Sequence, residues 1–154
     1  GGRALVVIAA QEDGQRIGRV RLVRVPNASA ASLYAAIGQS VESGSTIRTD
    51  DWRGYRALGR KGYVHQTIRA FMAPVGEDPL PLVGRVASLL KRWLLGTHQG
   101  AVRPSHLDYY LDEFTFRFNR RTSRARGMLF YRLLQQAVAV EPFPAKLIRG
   151  GRTF

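Results

Sequence analysis

The chain has 154 residues, 45% hydrophobic and 23% charged, the proportions of one ordinary globular domain rather than of a disordered or fibrous chain. Lys and Arg number 24 against 11 Asp and Glu, a formal net charge of +13, so the expected partner is anionic. There is no cysteine, which excludes a disulfide framework and a thiolate zinc site, and His65, His98 and His106 show no ligand spacing.

Arginine carries most of the positive charge, which favours planar, bidentate phosphate contacts over a diffuse lysine coat. Codon bias in a high-GC genome is the competing source of so much arginine. The first apolar run, Ala4 to Ala10, is too short to span a bilayer and at the lower limit for a signal-peptide core. It reads as a strand covered on both faces. The polar turn Gln11-Glu12-Asp13-Gly14 comes next, and Arg19 to Val25 then approximates period two, completing a hairpin with Arg19 and Arg21 on one face and Arg24 on the other.

Pro26 to Ser29 offer capping chemistry for a helix over Ala30 to Glu42, in which Leu33, Ile37 and Val41 recur at helical spacing. Ser43-Gly44-Ser45 breaks it. Thr46 to Thr49 is a short strand that delivers Asp50 and Asp51 at its carboxyl end, where ligands gather in open α/β sheets. A short helix over Trp52 to Leu58, a turn over Gly59 to Gly62 and a strand over Tyr63 to Ile68 come next. Prolines 74, 79 and 81 with Gly76 mark Met72 to Leu82 as a loop.

From Val83 the spacing of Val86, Leu90, Trp93 and Leu94 predicts a helix ending near Gly96. Its opposite face carries Gly84, Ser88 and Lys91, and residue 84 reads as a solvent-facing site able to accept a longer side chain. Arg103 and Pro104 open a last long helix with the buried stripe Leu107, Tyr110, Leu111, Phe114 and Phe118. Its exposed end is basic: Arg117, Arg120, Arg121, Arg124 and Arg126. A further helical stretch, Phe130 to Ala139, precedes a basic Gly/Arg tail. We therefore expect one α/β domain over residues 1–140 and a tail over 141–154.

Read from the residues alone, Asp50 has two roles open to it: an oxygen ligand for Mg2+ or Mn2+, or a cap for the helix beginning at Trp52. Lys91 is likewise either a phosphate contact or a solvated lysine on an amphipathic helix. Four segments occur in a telling order: Thr49-Asp50-Asp51-Trp52-Arg53-Gly54-Tyr55, Gly62-Tyr63-Val64-His65, Ser88-Leu89-Leu90-Lys91-Arg92, and Tyr110 to Arg121. The series resembles the catalytic domain of bacterial DDE-type insertion-sequence transposases, the ISXO-like group, over about Val6 to Val138.

The resemblance implies a ribonuclease H-like mixed sheet flanked by helices, in which three acids hold two Mg2+ or Mn2+ ions for phosphoryl transfer that cleaves and joins DNA strands. Asp50 matches the second acid, and Lys91 matches a lysine that touches DNA near the scissile phosphate. Arg53, Arg92, Arg117, Arg120, Arg121 and Arg124 are the further candidates for DNA contact. The departures are specific. The family's first acid lies on a strand preceding the one that begins here at Leu5, so the first strand of the fold is expected to be missing. The third acidic position falls on Gly84, and Asp51 stands where glycine is common. One acid of three leaves a weak or absent metal site and a domain expected to be catalytically incomplete.

The implied partner is double-stranded DNA, with a possible homo-oligomer on it, no membrane, and a cytoplasmic, nucleoid-associated setting in a bacterium. The competing functions are a non-catalytic basic nucleic-acid-binding module, a nuclease or resolvase of the same fold class, and a basic scaffold such as a ribosomal component.

Overall fold

The computed structural model describes residues 4–97 and 103–123. Arg124, Arg126, the stretch Phe130 to Ala139 and the tail lie outside them.

β1 (Leu5–Asp13) and β2 (Arg16–Val25) form the expected antiparallel hairpin. β1 runs on through the residues expected to turn, and the reversal falls at Gly14, whose φ of 61° a side chain would resist. Between the pairs Ala10↔Val20 and Glu12↔Ile17, β2 carries one residue more than β1. Gly18 and Arg19 thus make a bulge opposite Gln11, and a Cβ at residue 18 would stand 2.7 Å from the Gln11 Oε1. The extra residue reverses the strand's parity, so that Ile17 and Val20, three apart, are both buried in the same cluster.

That cluster is the core. Val20 meets Val86 and Leu90 of α2 (Pro81–Thr97) and Leu107, Leu111, Phe114 and Phe118 of α3 (Leu107–Asn119), with Val6, Ile8, Ala10 and Leu22 packed around them. The predicted stripes of both helices face the core: Val86, Leu90, Leu107, Leu111, Phe114 and Phe118 are buried, while Val83, Trp93, Leu94 and Tyr110 are half-buried, the Tyr110 ring edge-on to Trp93. Trp93 also lies 5.7 Å from the Phe114 ring and so joins α2 to α3. α1 (Ala30–Ser40) touches β1 and β2 and buries Leu33, Ala36 and Ile37 apart from this cluster, which places it on the hairpin's other face. The reading of β1 as covered on both faces is met only in part: residues 6–10 are half-buried and none is buried.

α1 starts as its caps predict: the Ser29 hydroxyl accepts from the Ser32 amide at 3.3 Å, and the Asn27 Oδ1 accepts from the Ser29 amide. β3 (Thr46–Thr49) and β4 (Val64–Thr67) then pair in parallel. The helix expected over Trp52 to Leu58 is replaced by 3-10 turns at Arg53–Tyr55 and Leu58–Lys61. Gly54 and Gly59 weaken an α-helix there, and the Trp52 indole N–H is drawn back to the Ala28 carbonyl at 3.2 Å. Among the described residues the two sheets have two strands each and no shared ladder. One ion pair, Arg48 to Glu12 at 2.9 Å, crosses from β3 to β1. The architecture is mixed α/β, with two small sheets and three α-helices among the described residues.

The end of α3 returns to the bulge. The Asn119 Oδ1 accepts from the Val20 amide at 2.7 Å, and its Nδ2 donates to the Val20 carbonyl at 3.0 Å. Arg121 lays its guanidinium 3.9 Å from the Phe118 ring centroid and donates to the carbonyls of Ile17, Gly18 and Phe118. Val20 is fully buried, so removing the amide strands both backbone groups. We expect Asn119→Ala to destabilise the domain by about 2–4 kcal/mol, and Asn119→Asp, which keeps only the acceptor, by about half of that, as read from urea unfolding midpoints.

Candidate functional site

Thr49 ends β3 in a buried position and organises the segment beyond it. Its hydroxyl donates to the Asp50 carbonyl at 2.8 Å and lies 2.8 Å from the His65 Nε2 on β4. A hydroxyl has one proton, so with that proton on the Asp50 carbonyl, His65 must donate from Nε2. The parallel pairing thereby fixes the backbone that carries Asp50, and His65, prominent in the sequence only as part of a motif, is the residue that does it.

The Asp50 carboxylate is exposed and its Oδ1 accepts from the Trp52 amide at 3.2 Å. Asp50 therefore caps no helix, since the one expected at Trp52 does not form, and its side chain closes a short turn with the Trp52 amide instead. Asp51 is 3.7 Å from the Arg69 guanidinium, just beyond β4. Tyr55, which no spacing in the sequence singles out as a site residue, lies in the field of Asp50: burial, and after it the Asp50 carboxylate, pushes its phenol above the ordinary range.

α2 presents Ser88, Lys91 and Arg92 to solvent on the face opposite Val86 and Leu90, as expected. Residue 84 differs from expectation. A Cβ built on Gly84 would collide with the Asp78 carboxylate, whose Oδ1 meanwhile accepts from the Leu80 amide at 2.8 Å at the start of α2. Gly84→Glu must therefore displace Asp78 and is no free gain in helix propensity. Among the described residues no group of three or more His, Asp or Glu is placed to hold a metal ion. Around the end of β3, Asp50 is engaged in a turn and Asp51 lies beside Arg69.

The basic end of α3 is less open than expected. Arg121 serves the β2 bulge, and Arg120 is half-buried, 3.8 Å over the Phe116 ring. Arg117 is exposed and pairs with Glu113 at 2.9 Å. Arg53 is exposed, with its guanidinium 5.7 Å from the Trp52 ring centroid. Arg53, Lys91, Arg92, Arg117 and Arg121 thus reach solvent, Arg121 while also holding the β2 bulge, and Arg120 is the half-buried one.

The class the described residues define is a mixed α/β domain with an acid at the carboxyl end of a parallel strand pair. The model of the ISXO2-like transposase domain matches residues 1–119, and the chain belongs to that family. Its setting is accordingly DNA transposition. No curated protein and no solved structure matches it. No helix among the described residues is long and apolar enough to cross a membrane.

The Tyr55 shift makes the Asp50 neighbourhood measurable. A raised phenol pKa contributes stability below the unfolded value and loses it as pH rises through the folded one. In an ultraviolet titration read as the difference between the parent and Tyr55→Phe, Asp50→Asn should lower the Tyr55 midpoint but leave it above that of a free phenol, because burial is the larger cause. An unchanged midpoint would separate the two residues.

Proposed function

We propose that the chain is a DNA-binding, DDE-type transposase domain of ribonuclease H-like fold, catalytically incomplete in its acidic set. The observation that carries this reading is the family match together with Asp50 at the carboxyl end of a parallel strand pair. The chain order supports the fold assignment: an antiparallel hairpin, a helix, then parallel strands separated by a crossover. A strand set between β1 and β3, where the Glu12–Arg48 pair now spans from one sheet to the other, would join them into one mixed sheet.

In the family chemistry, divalent metal supplies an activated oxygen nucleophile and stabilises the leaving oxygen in an in-line phosphoryl transfer. This chain's own residues have narrower parts. Asp50 offers one outward carboxylate oxygen, and Thr49 with His65 holds its backbone. Lys91 and Arg92 on α2 and Arg53 beside Asp50 neutralise phosphates; Arg117, and in the proposed interface Arg120, Arg121 and Arg124, extend the basic footprint. With Gly84 at the third acidic position, Mg2+ or Mn2+ binds weakly, and strand cleavage or joining stays at background. The domain over 1–140 acts on double-stranded DNA, the 141–154 tail adds charge, and assembly into a homo-oligomer would occur on the DNA.

The net charge favours DNA binding over a purely structural role, and the binding test is direct. Affinity for a duplex oligonucleotide, followed by fluorescence anisotropy, should fall on the order of a thousandfold between about 50 and 200 mM salt if six or more phosphates are neutralised. Added Mn2+ should produce no nicking. A flat salt titration would remove the DNA-binding reading, and cleavage abolished by Asp50→Ala would show that the acidic set is complete.

A further inference from the structure

A cleft of about 550 Å³ opens beside Asp50, between the start of α1 and the turn after β3. Ala28 and Ser29 wall one side; Trp52, Arg53, Gly54 and Arg56 form the other. Its volume is within the roughly 300–1,000 Å³ range of small-molecule sites. No acidic side chain lines it, and two guanidinium groups do.

The aromatic wall is built with care. The Trp52 indole N–H is satisfied by the Ala28 carbonyl, which fixes the ring across the cleft, yet the residue stays 45% exposed. Gly54 is what lets the ring sit there: a Cβ at 54 would stand 2.8 Å from the Trp52 Nε1 and 2.7 Å from a Leu33 methyl on α1. Arg53, over the same indole, adds a second planar cation to the platform. An indole held by its only donor, left partly bare, with Arg53 over it and Arg56 lining the same cleft, suits a flat aromatic ring attached to an anion.

We propose that this cleft receives one unpaired nucleotide of a DNA strand, its base stacked on Trp52 and its phosphate met by Arg56. A paired base has both faces covered by its neighbours, so only an extruded or terminal base can lay a face on the indole. The inference rests on the DNA-binding reading and adds to it a preference for DNA with a nucleotide out of the stack, placed next to Asp50.

The test compares a blunt duplex with the same duplex carrying a single unpaired thymidine, each competing for the chain with a labelled duplex. The unpaired form should bind about tenfold tighter. Trp52→Ala should erase that preference, Trp52→Phe should retain part of it, and Arg56→Gln, which leaves the indole's anchor in place, should reduce it with blunt-duplex affinity nearly unchanged. A 2-aminopurine in the unpaired position should be quenched on binding by the parent and by Arg56→Gln less so. Equal affinity for the two duplexes, or a preference that survives both Trp52→Ala and Arg56→Gln, would overturn the nucleotide cleft while leaving DNA binding intact. Binding of neither duplex would overturn both readings.

Discussion

The fold hangs on a side-chain amide that acts as a piece of strand. Asn119, at the last turn of α3, takes both backbone groups of Val20, and it does so beside the bulge that lets β2 present Ile17 and Val20 to one core. A bulge breaks the ladder and leaves polar backbone in an apolar setting. Asn119 at the end of α3 and Arg121 just beyond it supply donors and an acceptor to backbone distant in the chain, which couples the hairpin's buried register to the docking of α3. Phe118, buried between the two, adds the apolar contact.

This constraint reaches the candidate site through the hairpin. With α2 and α3 on one face, α1 is left to cover the other, and the start of α1 becomes the wall against which Trp52 anchors. The turn after β3 is therefore positioned twice: by Thr49 and His65 within the parallel pair, and by Trp52 and Gly54 against α1. Asp50 is placed by both, although no metal cluster surrounds it among the described residues. The family's long terminal motif, which invites a reading as a DNA-binding surface, is in large part the fastening of the domain.

Periodicity and capping chemistry make part of this structure legible in the sequence. The buried faces of α2 and α3, the hairpin, the cap of α1 and the bounds of β3 all come from local spacing and local hydrogen bonding. Parity across the bulge is not legible in the same way, because one extra residue reverses the in-and-out alternation. Gly18 within an apolar-alternating run is its only local signal. Arg120 and Arg121 look like any exposed basic cluster, since their partners, a ring one turn back and carbonyls on β2, are matters of tertiary geometry. Tyr55, His65 and the Asp78 carboxylate over Gly84 are hidden for the same reason: each matters through a neighbour brought close only by the crossover or by the turn into α2. The family resemblance locates Asp50 but does not say which of its oxygens a turn will claim.

The most direct measurement of the central claim is native-state hydrogen exchange at the Val20 amide. If Asn119 closes the bulge, that amide opens only with the whole domain and exchanges as slowly as the best-protected amides of β1 and α3. If Val20 exchanges by local opening, orders of magnitude faster than those neighbours, the clamp is not what holds the hairpin in register.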